Sequence, residues 1–350
     1  MSTASIVSSP ANKTRPTFSN CSRAWRRWPG MNYPGNLTAP CRIALALLCT
    51  MLAVAPATAS HALYDAEGRR LDVEIAPQFS PQSREEVISW TEKLAGSLTL
   101  VYGHWPRERW IIEVEATSGS ADDPIPWAQI KRGGVDTVKF YVVDNTSAKD
   151  LLSEWTGYHE IAHLLLPYRG WGDTWFSEGL ATYYQNLLQA RAGLISEQEM
   201  WQRLYAGFMR GREDSRFDGK SLIEVNRQMR SSGGYMRVYW SGAWYFLAVD
   251  IRLRARSNGA FGLDNVLLRL NDCCARDALS VAEMIKVMDS GDQQPVFAEL
   301  YQSMRNSTRL PDFEPLLAEL GITIANGKVV LQSTGKAAQR RRQFLQSTAL

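Results

Sequence analysis

Cysteine and histidine are scarce in this chain. Among 350 residues there are five cysteines and four histidines. Three of the cysteines lie within the first 59 residues, so only Cys273 and Cys274 remain beyond that point. Two adjacent cysteines do not easily satisfy disulfide geometry. The sequence therefore predicts buried or free thiols near a helix end, and it excludes a small fold held together by a disulfide framework.

Most of the chain also has no large excess of positive or negative charge. The formal net charge is +3, and the first 59 residues contain six basic side chains and no acidic one. Subtracting these six charges from +3 leaves −3 for the remainder. Nucleic-acid-binding domains are usually strongly basic, so no nucleic-acid partner is expected.

Long apolar segments are absent too, and the one short run lies in a leader, residues 1–59. Arg42 precedes the run from Ile43 to Pro56, and Ala57-Thr58-Ala59 then matches the small-x-small pattern that signal peptidases accept. The run is too short and too rich in alanine for a comfortable transmembrane helix, although a retained anchor is an alternative. Met31 is an alternative start. We expect a periplasmic or secreted protein with no stable transmembrane anchor after leader removal.

The remainder divides into a part with strands and a part with helices. Apolar residues alternate in short segments between residues 60 and 146 and recur mainly at helical spacing between 147 and 332. The basic segment 333–350 is expected to be solvated and mobile. The predicted fold class is α+β, with a small mixed sheet followed by a mainly helical subdomain. Its expected strands lie at 71–75, 110–114 and 138–143.

Two helices are predicted at the start of the helical part. Ser147 and Asp150 form a capping-box pattern that opens the first helix, and proline and glycine after residue 166 end it. The second helix is expected from Asp173 or Thr174 to about residue 192.

Two of the four histidines lie four residues apart, in His159-Glu160-Ile161-Ala162-His163. On a helix this spacing places both imidazoles on one face, where they can bind one metal ion. Glu160 then lies beside the ion, where a carboxylate can accept a proton from water and later donate it to a leaving amine. This is the HExxH pattern of zinc peptidases. The alternative is a chance match in which both histidines are merely packed.

Glu178, in the segment Trp175–Tyr183, is a candidate third ligand. A helical hairpin would bring it against His159 and His163 and complete a His₂Glu set for one Zn²⁺ per chain, with a position open for water. The alternative is an exposed glutamate in the first turn of a helix, where its charge interacts favourably with the helix dipole.

Together these segments resemble the gluzincin metallopeptidases, which include the aminopeptidase-N and glycyl aminopeptidase families. In those families a Trp-x-x-Glu-Gly-x-Ala-x-Tyr helix follows the zinc helix, matched here by Trp175, Glu178, Gly179, Ala181 and Tyr183. The resemblance spans roughly residues 138–254. It implies a thermolysin-like zinc peptidase module that acts on a peptide or protein substrate.

The same families place a tyrosine in a Tyr-x-x-Gly context further along the chain. Tyr239-Trp240-Ser241-Gly242 fits this context. By resemblance, Tyr239 would stabilise the oxyanion of the transition state, a suitable role for a phenol directed at developing charge. The alternative is a core aromatic residue in a tyrosine-rich stretch.

The chain departs from the large aminopeptidases in three ways. The segment between His163 and Glu178 is shorter, and the large appended domains are missing. A Gly-x-Met-Glu-Asn-like segment, which holds the free amino terminus of a substrate in the large family, does not precede the zinc helix. These departures predict a compact module and leave aminopeptidase specificity open.

The resulting hypothesis is a zinc-dependent peptidase in the cell envelope or outside the cell. A non-catalytic gluzincin-like module for peptide binding or envelope assembly is the alternative, although a pure binder has no chemical need for a base at Glu160. Hydrolysis of a non-peptide bond, in cell-wall or small amide substrates, is a third possibility.

Several other residues give weaker signals. The strand Val138–Val143 precedes the zinc helix, and as an edge strand it could pair with an extended peptide. Asp173 could hydrogen-bond a zinc histidine, although an acidic residue at a helix start is the simpler interpretation. His61 and His104 lack partners at ligand spacing and are expected to be structural or exposed.

Overall fold

The computed structural model describes residues 59–168, 172–291 and 295–346. The predicted leader lies outside these residues except for Ala59, and the signal peptide stays a prediction. The strands are β1 (Ala59–Tyr64), β2 (Arg70–Ile75), β3 (Arg109–Thr117), β4 (Trp127–Lys131), β5 (Thr137–Val143), β6 (Ile322–Ala325) and β7 (Lys328–Leu331). The three strands predicted from the sequence are confirmed as β2, β3 and β5.

Twelve α-helices lie in the described part of the chain, and short 3₁₀ turns follow three of them. They are α1 (Pro81–Tyr102), α2 (Ala148–Ser153), α3 (Trp155–Ala162), α4 (Thr174–Arg191), α5 (Glu197–Glu213), α6 (Leu222–Ser232), α7 (Tyr235–Arg256), α8 (Leu263–Cys274), α9 (Val281–Met288), α10 (Val296–Arg305), α11 (Glu314–Glu319) and α12 (Gly335–Arg342). None of the helices in the described ranges is long and apolar enough to cross a membrane.

The first five strands form one mixed sheet in the order β1-β2-β3-β5-β4. The central strands β2, β3 and β5 are parallel, and the two edge strands are antiparallel to their neighbours. Alternate residues such as Val73, Ile112 and Val138 align across the sheet and are fully buried. Helix α1 covers this face, and the ring of its Trp90 meets Phe140 of β5 edge to face at 5.0 Å. The predicted α+β class, a small sheet followed by helices, is confirmed.

The interpretation of Val138–Val143 as an edge strand is wrong. Residues 127–131 pair with the outer side of β5 in antiparallel register, so β5 is internal and β4 is the edge. The residues of β4 are partly buried or exposed, so this strand was hard to recognise from apolar alternation. Helix α3, which carries the HExxH motif, packs against β4. The edge strand beside the motif is therefore β4.

Ser147 is confirmed as the residue that caps the helix start, but the single helix predicted after it is wrong. The Ser147 side chain accepts a hydrogen bond from the Asp150 N–H, and α2 then ends at Glu154, whose backbone is extended (φ −78°, ψ 138°). The buried amide of Gln189 donates to the carbonyl oxygens of Leu152 and Ser153 at 3.2 and 3.3 Å. This tertiary contact satisfies carbonyls that the helix end leaves unpaired. A separate helix, α3, therefore carries the motif.

The helix predicted from Asp173 or Thr174 is confirmed as α4.

The prediction of a mobile tail from Ser333 is wrong as far as residue 346, because this segment forms α12 and a 3₁₀ turn. Arg341 on α12 is 2% exposed; its guanidinium contacts Glu197 at 2.8 Å and donates to the carbonyl oxygens of Leu320 and Gln332. The side chain of Phe344 is 1% exposed. A basic segment becomes ordered here because backbone carbonyls, invisible in the sequence, accept the arginine's hydrogen bonds.

The prediction of free thiols at Cys273 and Cys274 is also wrong. The two residues form a disulfide at the C-terminal end of α8, with their Cα atoms 3.7 Å apart. Spacing rules for disulfides disfavour such neighbours, and they led to the wrong prediction here.

Candidate metal centre

The first two predicted ligands lie on one face of α3 and the turn that continues it. His159 is on α3, and His163 opens the 3₁₀ turn His163–Leu165. Both side chains are almost completely buried, and their ring centroids are 5.0 Å apart. The four-residue spacing thus gives the adjacent imidazoles that it predicts.

Glu178 completes a three-residue cluster from the next helix. Its Oε2 lies 3.2 Å from His159 Nε2 and 3.6 Å from His163 Nε2. One donor atom from each of the three residues lies within 4.8 Å of the others. Two imidazole nitrogens and one carboxylate oxygen form a catalytic zinc ligand set. The cluster therefore fits a metal ion, and Glu178 is not the exposed first-turn glutamate of the alternative interpretation.

The charge states of the cluster are set by burial and by the carboxylate. Burial lowers the pKa of His163 to about 3, which keeps its imidazole in the neutral form that binds metals. Burial opposes charging of His159 as well, but hydrogen bonding to Glu178 raises the pKa of His159 overall. Burial of Glu178 is likewise outweighed by the two histidines, which lower the pKa of its carboxyl. Without a metal, this arrangement stabilises negative charge on Glu178.

The far nitrogen of each histidine has its own buried partner. His159 Nδ1 lies 3.0 Å from Gln185 Oε1, and His163 Nδ1 lies 3.2 Å from Ser177 Oγ. An amide oxygen can only accept, so His159 donates from Nδ1 and its Nε2 is left for a metal. Gln185 and Ser177 are 6% exposed. Both orient the histidine rings.

The sequence did not reveal these two partners. Asp173, the alternative candidate for this role, lies at the start of α4, as the simpler interpretation predicted. The Asp173 carboxylate instead accepts a hydrogen bond from the Tyr301 hydroxyl at 2.7 Å. A signal for Gln185 existed, because it follows Glu178 by seven residues, two helical turns further on the same face. Ser177 directly precedes Glu178, and only the tertiary structure shows that it contacts His163.

Glu160 lies between the two histidines in sequence and is half-buried. Burial raises the pKa of its carboxyl to about 7; the nearby His159 partly offsets this effect and Glu178 adds to it. A carboxyl group with a pKa near 7 can both accept and donate a proton near neutral pH.

Tyr239 reaches the same cluster from α7. Its ring is nearly parallel to that of His159, at a centroid distance of 5.8 Å, and its hydroxyl hydrogen-bonds to Glu178. Burial and the charge of Glu178 raise the pKa of Tyr239 well above its usual value, so the phenol keeps its proton. The structure thus brings all five predicted site residues together. His104, by contrast, is buried with Nδ1 2.9 Å from the Trp105 carbonyl oxygen, and His61 is exposed.

Two glycines set the distance between Glu178 and Tyr239. Helices α4 and α7 approach most closely where Gly179 meets Gly242. A Cβ atom added to Gly242 would lie 2.2 Å from the Trp175 carbonyl oxygen and 2.5 Å from the Gly179 Cα. Both near atoms are backbone atoms, so no side chain can move aside. The glycines next to the functional residues therefore permit the close helix packing that the site requires.

Part of the chain is similar to a known family. Residues 171–237 match the family model of the M61 glycyl aminopeptidases. The comparison with curated proteins finds no match.

Similar folds occur among solved structures. One is an aminopeptidase N family protein from Idiomarina loihiensis, at 13% identity and a TM-score of 0.53, with 76% of this chain and 49% of that protein covered. Another is the M1 zinc metallopeptidase from Deinococcus radiodurans, at 18% identity and a TM-score of 0.48, with 73% of this chain and 52% of that protein covered.

We predict that Gly242→Ala destabilises the chain by about 1–3 kcal/mol or more, because overpacking at a backbone contact forces the helices apart. Gly96→Ala is the matched control. Gly96 lies in the middle of α1, and a Cβ atom there would meet nothing within 4 Å. The control should gain about 0.5–1 kcal/mol from its higher helix propensity. Urea unfolding measures both changes, and equal effects would contradict the role given to the glycine contact.

We predict that Gln185→Leu weakens zinc binding by about 10–100-fold, because the His159 ring loses the acceptor that fixes its orientation. Gln185→Glu keeps an acceptor oxygen at this position and should retain most of the zinc affinity. Competition with a chromophoric chelator measures both affinities. If the glutamate variant binds zinc as weakly as the leucine variant, the acceptor is not what matters.

Proposed function

We propose that this chain is a zinc-dependent peptidase of the gluzincin type that acts outside the cytoplasm. The predicted relation to gluzincin peptidases is confirmed by the match of residues 171–237 to an M61 glycyl aminopeptidase model and by the similarity in fold. The chain spans about half the length of the aminopeptidase N family protein, so its activity is proposed from its own site. The observation that carries the proposal is the convergence of His159, His163 and Glu178 beside Glu160.

The three clustered donors would hold one zinc ion. Bound there, zinc would supply Lewis acidity, which polarises a carbonyl and makes water more acidic. Gln185 and Ser177 keep the two imidazoles oriented toward the ion. The surrounding side chains exclude most solvent from the donors, since both histidines are at most 5% exposed.

Glu160 would transfer the proton in the reaction, and Tyr239 would stabilise the negative charge that develops on the substrate. The Glu160 carboxylate accepts a proton from the attacking water and then donates it to the leaving amine nitrogen. The Tyr239 hydroxyl is a neutral donor that can turn from Glu178 to an oxyanion developing at the substrate carbonyl. Peptide hydrolysis needs both functions, and neither is needed to bind a peptide.

The edge strand β4 supports a peptide as the substrate. It is the last strand of the sheet on the side of α3, and its outer edge is not paired with a strand in the described part of the chain. An extended peptide can add to such an edge through backbone hydrogen bonds. This contact is independent of a free amino terminus, which agrees with the lack of a Gly-x-Met-Glu-Asn-like segment.

We predict that Glu160→Gln binds one zinc ion per chain as the wild type does, while peptide cleavage falls by about 10²–10⁴-fold because the general base is lost. Glu92→Gln, at an exposed position on α1, is the matched control and should cleave normally. Metal analysis and mass spectrometry of a digested peptide mixture give the two readouts. Zinc-replete wild-type protein without bound zinc would overturn the proposal.

The same variant tests the non-catalytic alternative. Glu160→Gln should fail to restore a deletion strain if hydrolysis is the function. Full complementation, with no peptide products from the wild type, would favour a peptide-binding or assembly module. Products from amide-containing cell-wall fragments alone would instead favour a non-peptide substrate.

Export is proposed from the sequence of the leader. The pattern around Ala57-Thr58-Ala59 supports cleavage after Ala59. We expect the full-length chain, expressed with its leader in a bacterium, to be recovered outside the cytoplasm with Ser60 as its first residue. Fractionation and the intact mass of the recovered protein check this expectation. An uncleaved chain in the cytoplasmic fraction would contradict it.

A further inference from the structure

The C-terminal end of the metal-binding helix contacts a cluster of charged residues that the proposed chemistry does not use. The hairpin loop between β4 and β5 contributes Arg132 and Asp136, and the segment before β3 contributes Arg107. The side chains of these three residues are 11%, 1% and 9% exposed, respectively. Burial of three charged groups beside a metal site calls for a physical reason, because each loses hydration.

The Asp136 carboxylate joins the two arginines. Its Oδ2 lies 2.7 Å from Arg107 Nε and 3.3 Å from Arg132 Nη1. The Asp136 backbone is fixed as well, because its carbonyl oxygen accepts a hydrogen bond from the Ile111 N–H at 3.0 Å. The carboxylate is thus held at the end of the sheet where β5 begins, and it orients both guanidinium groups.

The guanidinium group of each arginine then donates to a backbone carbonyl at the end of the metal-binding helix. Arg132 Nη2 donates to the carbonyl oxygen of His163, and Arg107 Nη2 donates to that of Leu166 at 3.3 Å. The His163 carbonyl oxygen also accepts the Leu166 N–H at 3.3 Å, which closes the 3₁₀ turn, so Arg132 is a second donor to that oxygen. Carbonyl groups at the end of a helix carry partial negative charge, which favours a cationic donor. Arginine suits this position because its planar group can contact a carbonyl and a carboxylate at once.

We infer that Arg132, oriented by Asp136 and assisted by Arg107, is a positioning residue that holds the His163 backbone so that its imidazole stays aligned with His159 and Glu178. The inference rests on the proposed metal binding. A ligand on a short 3₁₀ turn is less constrained by its own helix than His159 on α3. The arginine contact supplies that constraint from the sheet, so the ligand set is ordered before the metal arrives.

The chain contains a matched control for this arrangement. Asp72 on β2 is a second buried carboxylate between two arginines, with Arg70 at 2.7 Å and Arg109 at 2.9 Å. Strand β3 lies between β2 and the start of β5, where Asp136 is. Loss of this carboxylate should lower stability without affecting His163.

The test compares zinc affinity in Arg132→Met, Asp136→Asn and Asp72→Asn by chelator competition. We expect about tenfold weaker zinc binding or more for the first two variants, as for other partners that orient metal ligands, and a change of less than about twofold for Asp72→Asn. Arg132→Lys should give an intermediate loss, because one ammonium group cannot contact both His163 and Asp136 as the guanidinium does. It also serves as the second variant if Arg132→Met does not fold.

A second readout needs no metal. In the metal-free chain, amide hydrogen exchange at Leu164–Leu166 should be about tenfold faster in Arg132→Met or Arg132→Lys than in the wild type and unchanged in Asp72→Asn. Unchanged zinc affinity in both Arg132 variants, or an equal loss in Asp72→Asn, would overturn the inference. If the wild type binds no zinc, the proposed function fails, and the exchange rates alone then decide whether Arg132 holds the turn.

Discussion

The close approach of helices α4 and α7 is the constraint on which the site depends. Glu178 and Tyr239 lie on different helices, and their side chains meet because the neighbouring residues are Gly179 and Gly242. Backbone contacts this close exclude any side chain larger than a hydrogen atom. The Glu-Gly and Tyr-x-x-Gly patterns are thus packing requirements as much as chemical ones. The glycine costs some helix propensity at each position, which the packing of two largely buried helices offsets.

Three further sets of contacts support the segment that carries the two histidines. Gln189 contacts the carbonyls at the break before α3, so that the motif occupies a short helix of its own. Gln185 and Ser177 orient the imidazoles from α4, and Arg132 contacts the His163 backbone from the sheet. Helix α4 therefore supplies a ligand, both ring partners and the support for the preceding helix. A catalytic geometry on a helix this short requires such external support.

The three candidate ligands come from a short stretch of the chain. The link between His163 and Glu178 is short, yet the two helices it joins still place the three donor atoms within 4.8 Å. The edge strand β4 lies beside the motif, so the exposed edge of the sheet and the three donors are part of one local unit.

The sequence by itself determined which residues form the candidate site and the class of the fold. The spacing of His159 and His163, the segment around Glu178 and the context of Tyr239 are local patterns, and helical periodicity converts such patterns directly into geometry. Three strands and the helix cap at Ser147 were predictable for the same reason. The tertiary structure alone decided the edge strand, the break at Glu154, the burial of Arg341 and the contact of Ser177 with His163. These features depend on contacts between residues far apart in the chain, where backbone carbonyls and neighbouring helices supply the interactions, and no local spacing rule encodes them.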